Sequence, residues 1–135
     1  MDNRHLTLLL LPDTFAICRL APDAPVPDWA LAGDWFSITR TADELSVVCS
    51  QANAPASITC ERDWRCLKVE GPLDLSLTGI LASLAAPLAE AGICIFAVST
   101  YGTDYVLVKE QNVDRAVAVL SQAGYRLVLP GLTPS

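Results

Sequence analysis

The chain has 135 residues and a mass of 14.4 kDa, which gives room for one ordinary domain or two very small ones. Hydrophobic residues make up 52% and charged residues 18%, a composition that excludes intrinsic disorder because the apolar surface can offset the entropy of ordering. The net charge of −6, with nine scattered Lys and Arg residues, argues against nucleic acid and anionic membranes as partners, since both need clustered positive charge.

The start of the chain predicts strands and a proline-rich connection. Leu6 to Leu11 and Phe15 to Leu20 are predicted as two strands around a turn at Pro12-Asp13. Ala21 to Asp28 holds Pro22, Pro25 and Pro27 and is predicted as an extended linker. A single helical turn is predicted to follow it at residues 29–31.

A hairpin and a further strand come next. The hairpin has predicted strands at Phe36 to Thr39 and Leu45 to Cys49, around a turn at Ala42-Asp43. Arg65 to Glu70 is predicted as a strand that ends at Gly71-Pro72, because proline cannot donate to a strand ladder.

Apolar residues at helical spacing then predict a helix that ends at Gly92, a residue suited to a left-handed closing position. Asp74 or Ser76 can cap its start. Pro87 lies inside the helix and predicts a kink that costs about 3 kcal/mol unless the last turn is irregular. The apolar stripe consists of Leu77, Ile80, Leu81, Leu84, Leu88 and Ala91.

The remaining elements complete a recognisable order. Ile93 to Ser99 and Tyr105 to Lys109 are predicted strands joined by a polar turn. A second helix, capped by Asn112, stops at Gly124, and Tyr125 to Leu129 is the last strand. The order β-α-β-β-α-β is that of the ferredoxin-like fold, an antiparallel sheet with both helices on one face.

We therefore predict an α+β protein built from tandem ferredoxin-like modules. Residues 1–62 form a reduced, strand-rich module, residues 63–130 a complete βαββαβ module, and residues 131–135 a tail. RNA-binding modules share this element order, but the chain lacks their aromatic K/R-G-F-type strand and its acidic charge repels phosphate.

Catalytic groups are scarce in the sequence. His5 is the single histidine, and no G-x-S-x-G, P-loop or G-x-G-x-x-G motif is present. Asp43 and Glu44 are adjacent carboxylates, but they fall in a predicted turn where solvated side chains are expected. We predict a protein that is not an enzyme and that has no catalytic residues, metal site or cofactor.

The five cysteines are odd in number and lack a C-x-x-C pair. Most lie in apolar runs, so we expect buried, reduced thiols without disulfide or metal. No targeting segment is predicted, because the apolar run near the start is far shorter than the ~20 residues that span a bilayer. These features favour a cytoplasmic protein.

A small-molecule site is the remaining possibility. The loop Gly71 to Ser76 leads into a helix N-terminus, which attracts anions such as carboxylates. The hairpin turn Ser99 to Asp104 supplies a carboxylate that can meet a cation. Both polarities together suit a zwitterionic amino acid, although the same residues also suit purely local roles as helix cap and turn. Both interpretations stay open.

The segments that carry a family resemblance are STYGTDYVLV, the upstream ILASLAAPLAEAGI and, more loosely, FSITRTADELSVV. Through them the chain resembles the ACT-domain proteins related to the CASTOR arginine sensors. The resemblance implies βαββαβ modules that bind small effectors, often amino acids, at interfaces between modules. In that branch the loop after the first strand and the ST-x-x-TD turn line the ligand site. The corresponding residues here are Leu73, Asp74, Leu75, Ser76, Ser99, Thr100, Tyr101, Gly102, Thr103 and Asp104.

We accordingly predict a non-enzymatic regulatory or sensor protein that binds a small molecule, and an amino acid is the expected ligand. The alternative is a structural or oligomerisation module with an empty or vestigial site. The resembling sensors contain four modules and this chain has room for about two, so their interface would be rebuilt by dimerisation. Unpaired edge strands also favour a homodimer.

Overall fold

The computed structural model describes residues 6–71, Leu73 and residues 79–130. Short 3-10 helices lie at Asp28–Leu31, Gln51–Asn53 and Glu110–Asn112. The strands and α-helices of the described part are β1 Thr7–Leu20, β2 Ser37–Arg40, β3 Leu45–Ser50, β4 Cys60–Val69, α1 Ile80–Glu90, β5 Ile95–Ser99, β6 Asp104–Lys109, α2 Val113–Gln122 and β7 Arg126–Val128.

The chain divides into two compact units that do not follow chain order. The smaller unit comprises Asp13–Trp64, and the larger unit comprises Met1–Pro12 with Arg65–Ser135. The strands β1 and β4 each contribute residues to both units. The sequence predicts a module boundary after residue 62, with residues 6–12 in the first module. In the structure, residues 6–12 belong instead to the larger unit.

The smaller unit is a sheet with a small core. Its strands follow the order β2-β3-β1-β4, and β1 pairs antiparallel with β3 from Phe15↔Ser50 to Leu20↔Leu45. The predicted hairpin is confirmed, with Thr41 Oγ1 accepting from the backbone N–H groups of Asp43 and Glu44 in its turn, at 3.1 Å each. The helical turn predicted at residues 29–31 is also confirmed. The buried core residues are Ala16, Cys18, Ala30, Leu45, Val47 and Cys49.

The turn predicted at Pro12-Asp13 is wrong, because β1 is one continuous strand of 14 residues. The strands that pair with β1 explain how Pro12 is tolerated inside it. Residues 7–9 pair with β7 and residues 15–20 pair with β3. Pro12 lies between these two ladders, so its missing N–H removes a hydrogen bond from neither of them.

The larger unit carries the predicted β-α-β-β-α-β order as β4, α1, β5, β6, α2 and β7. Its strands are arranged β7-β1-β4-β6-β5. In the simple ferredoxin-like fold the last strand lies beside the first strand of the module, but here β1 lies between them. The pairing of β1 with β7, from Thr7↔Arg126 to Leu9↔Val128, is consequently parallel, and an entirely antiparallel sheet is not what forms.

Both helices of the larger unit pack on one core. Leu84 and Leu88 of α1 and Ala116 and Leu120 of α2 belong to a single cluster with alternate residues of β1, β4 and β6. Alternate strand residues share a face, so both helices cover the same face of the sheet, as predicted.

The ends of the helices agree only in part with the sequence analysis. The closures predicted at Gly92 and Gly124 are confirmed, since both glycines have left-handed φ angles, +74° and +103°. The start of α1 is later than predicted: Gly79 is the N-cap, so capping by Asp74 or Ser76 is wrong. These two residues and Leu77 lie outside the described residues. Asn112 is the N-cap of α2, but its side chain makes no capping bond.

Candidate functional site

A cavity of about 200 Å³ lies in the larger unit, where the turn between β5 and β6 meets the start of α1. Binding sites for drug-sized molecules usually measure roughly 300–1,000 Å³, so this cavity suits a ligand no larger than an amino acid. Its lining residues are Leu73, Gly79, Ile80, Leu81, Ser99, Thr100, Tyr101, Gly102, Thr103 and Asp104.

The structure brings together most of the residues predicted from the sequence. All six residues from Ser99 to Asp104 line the cavity, and so does Leu73. Asp74, Leu75 and Ser76 lie outside the described residues. Gly79, Ile80 and Leu81 were not predicted as site residues, because the helical periodicity of the latter two indicated only a core stripe.

The turn between β5 and β6 is held by its own polar groups. Ser99 and Asp104 are opposite each other in the last pair of the ladder, and Ser99 Oγ donates a 2.7 Å hydrogen bond to Asp104 Oδ1. The Thr100 N–H donates to the Thr103 carbonyl at 2.9 Å, and the Thr103 N–H donates to Thr100 Oγ1 at 3.3 Å. The Ser99 bond engages one of the two carboxylate oxygens of Asp104.

The same turn is tied to the end of β4. Thr103 Oγ1 donates to the Val69 carbonyl at 2.6 Å, and the Leu73 N–H donates to the Gly102 carbonyl at 2.8 Å. Gly71 permits this approach, because a Cβ at that position would lie 3.0 Å from the Gly102 carbonyl oxygen and 3.2 Å from the Leu73 nitrogen. The local sequence pattern predicts for Gly71 only that it ends a strand.

The start of α1 supplies the opposite polarity. Gly79, the N-cap residue, adopts a left-handed conformation with φ +78° and has no side chain that could form a capping hydrogen bond. Free N–H groups in a first helical turn carry partial positive charge and attract anions. The cavity is thus lined both by this turn, at Ile80 and Leu81, and by the acidic residue Asp104.

Tyr101 and Thr103 occupy contrasting positions in the turn. Tyr101 lines the cavity and is 86% exposed, whereas Thr103 lines it and is buried. An exposed aromatic ring offers an apolar surface that a bound molecule can cover. The buried Thr103 instead holds the turn against the end of β4 through its hydrogen bond to Val69.

The cysteines were expected to be buried. This is wrong for Cys94, which is exposed just before β5, and Cys60 is only half-buried. Cys18, Cys49 and Cys66 are buried. Burial raises the pKa of the Cys66 thiol to about 12. The Cys49 thiol, burial and the Cys60 thiol together raise the pKa of Cys18, so both Cys18 and Cys66 are protonated at neutral pH.

Two wider properties of the described part bear on function. Its His, Cys, Asp and Glu side chains form no group of three that could hold a metal ion. His5 lies outside the described residues. Neither described helix is long and apolar enough to cross a membrane.

Two family models match the chain. The ACT domain model matches residues 59–122, which include every residue that lines the cavity. A second model, which describes an N-terminal domain, matches residues 13–63 and so coincides closely with the smaller unit.

Solved structures resemble most of the chain. A protein from Agrobacterium tumefaciens is 36% identical with a TM-score of 0.89, over 97% of this chain and 98% of that chain. The ligand-free regulatory subunit of aspartate kinase from Thermus thermophilus is 17% identical with a TM-score of 0.60, over 86% of this chain and 96% of that chain. At 17% identity the second likeness concerns the fold alone.

Curated relatives include the protein named cytosolic arginine sensor for mTORC1 subunit 1. The Rattus norvegicus protein is 32% identical over 90% of this chain and 43% of its own length. The Homo sapiens protein is 37% identical over 44% of this chain and 18% of its own length. The chain thus spans less than half the length of these relatives.

Proposed function

Because the chain belongs to the ACT-domain family, we propose that it is a non-enzymatic regulatory or sensor protein that binds a free amino acid in the cavity between the β5–β6 turn and α1. One observation carries the proposal: Asp104, an acidic residue, and Ile80 and Leu81 of the first turn of α1 line the same cavity. Opposite polarities at one small site suit a zwitterion.

Each part of an amino acid has a matching group in this cavity. The ligand carboxylate accepts hydrogen bonds from the N–H groups of Ile80 and Leu81 in the first turn of α1, where the helix dipole favours negative charge. The ammonium or guanidinium group binds Asp104 through the carboxylate oxygen that Ser99 does not engage. Thr100 supplies a further hydroxyl, and Tyr101 covers the apolar part of the ligand.

The relatives suggest which ligand should be tested first. Two of them are named arginine sensors, and a structural neighbour is a regulatory subunit. L-Arginine is therefore the first candidate. We further propose that the smaller unit is the reduced partner module, that the protein forms homodimers, and that it works in the cytosol, as the names of the relatives suggest.

A structural or oligomerisation module with an empty site is the competing proposal. The two differ in their response to ligand, because a molecule that binds only the folded state raises stability by about 2.7 kcal/mol at 100 times its Kd. Thermal unfolding should be followed with a panel of free amino acids and with N-acetyl-L-arginine and L-argininamide as matched controls.

L-Arginine should raise the unfolding temperature more than L-argininamide does, because the amide lacks the carboxylate that α1 is proposed to bind. N-acetyl-L-arginine keeps its guanidinium group, so its response shows whether Asp104 binds the guanidinium or the α-ammonium group. Equal responses to L-arginine and L-argininamide would contradict the charge pairing. No selective response across the panel would favour the structural module.

A further inference from the structure

A chain of two hydrogen bonds connects a buried tyrosine to the wall of the cavity. Tyr125 is 4% exposed, and its hydroxyl donates to Ser83 Oγ at 2.6 Å. Ser83 Oγ donates in turn to the Ile80 carbonyl at 2.8 Å. Ile80 lines the cavity, whereas neither Tyr125 nor Ser83 does.

These two hydrogen bonds bear on the start of α1, where the N-cap residue has no side chain to form a capping bond. A capping side chain normally fixes the first turn of a helix, and Gly79 at the N-cap has none. A serine hydroxyl inside a helix can bond a preceding carbonyl in more than one rotamer. The hydrogen bond from Tyr125 selects the rotamer in which Ser83 holds Ile80.

Tyr125 is itself well fixed. Its ring belongs to the core cluster that includes Leu84 and Leu120. Its N–H donates to the Leu120 carbonyl at 3.1 Å, and the following Arg126 N–H donates to the Leu6 carbonyl at 3.1 Å. The hydroxyl therefore reaches α1 from a position set by α2 and by the β1–β7 ladder.

We infer that Tyr125 is a positioning residue for the cavity, which acts through Ser83 on the first turn of α1. This inference rests on the proposed function, since it assigns Tyr125 a part in ligand affinity without a ligand contact. Loss of the hydroxyl loosens the turn whose N–H groups are proposed to bind the ligand carboxylate.

The test uses Tyr125→Phe and Ser83→Ala, which each remove one hydroxyl and leave the apolar packing. Ser121→Ala is the matched control, because Ser121 is an exposed helical serine on α2. Ser83→Thr keeps a hydroxyl and should restore wild-type behaviour. Amide hydrogen exchange at residues 83–85 and the affinity for L-arginine are measured for each variant.

Tyr125→Phe should speed exchange at residues 83–85 by about fivefold, the equivalent of one hydrogen bond, with no comparable change in the middle of α2. It should weaken L-arginine binding by a similar factor. Because both hydroxyls act in one chain, the double variant should lose no more affinity than either single variant.

Uniformly faster exchange throughout the protein, or additive losses in the double variant, would overturn the inference. If the wild type does not bind L-arginine, the proposed ligand is wrong. In that case the exchange pattern of Tyr125→Phe alone decides whether Tyr125 positions α1.

Discussion

Thr103 Oγ1 donates a 2.6 Å hydrogen bond to the carbonyl of Val69, a residue 34 positions earlier in the chain. The bond joins the β5–β6 turn to the end of β4, and both groups are buried. It therefore fixes one wall of the cavity against the sheet.

Replacing this hydroxyl should destabilise the protein. Thr103→Val keeps the shape of the side chain but leaves the buried Val69 carbonyl without its hydroxyl donor, which should cost about 1–3 kcal/mol. Urea unfolding measures the loss. Thr39→Val is the control, because Thr39 is exposed on β2 and should change stability by no more than about 0.5 kcal/mol. Equal effects of the two variants would contradict the structural role of Thr103.

Gly71 should not tolerate a side chain. In Gly71→Ala the added Cβ would lie 3.0 Å from the Gly102 carbonyl oxygen, so β4 and the turn must separate. We expect a loss of about 1–3 kcal/mol in the free energy of unfolding. Gly102→Ala is a close control, since a Cβ there meets nothing within 4 Å. A Gly71→Ala protein as stable as Gly102→Ala would mean that the close approach is unimportant.

These residues also illustrate what local patterns reveal. The polar turn Ser99 to Asp104 and the apolar stripe of α1 were predictable, because turn residues and helical periodicity are properties of neighbouring residues. The cavity wall at Ile80 and Leu81 was not predictable. The same periodicity that places Leu84 in the core assigns Ile80 to it as well, and only the hairpin packed nearby makes it a lining residue.

Long-range pairing caused the main errors in the predicted fold. The position of β1 between β4 and β7 depends on contacts between residues far apart in sequence, and no local motif indicates it. A proline followed by an aspartate is typical of a turn, yet Pro12 is accommodated inside β1 because the strand changes partners there. The close approach at Gly71 is likewise a tertiary feature.

Asp104 should contribute to ligand binding through its charge. Asp104→Asn keeps an acceptor for Ser99 but removes the negative charge, and should weaken L-arginine binding by about 1.5–3 kcal/mol with little change in unliganded stability. Calorimetric titration gives the affinity. Asp43→Asn provides a control in the turn of the other hairpin. A variant that unfolds readily but binds normally once folded would assign Asp104 a purely local role.

The protein should form a dimer in solution. In the described part of the larger unit, β5 is an edge strand of the sheet and pairs with β6 on one side. Edge strands present unpaired backbone N–H and C=O groups, which favour association with another chain. Light scattering at micromolar concentration should give about twice the chain mass of 14.4 kDa, with ligand shifting the equilibrium toward the dimer. A stable monomer that binds L-arginine tightly would show that one chain completes the site by itself.

The most direct test of the account is to map the ligand on the protein by NMR. Uniformly ¹⁵N-labelled protein should be titrated with L-arginine while the backbone amide shifts are followed. An arginine site in this cavity should give the largest shifts at residues 79–81 and 99–104, which line the cavity from the start of α1 and from the β5–β6 turn. Saturable shifts concentrated elsewhere, or no shifts at millimolar L-arginine, would contradict an arginine site in this cavity.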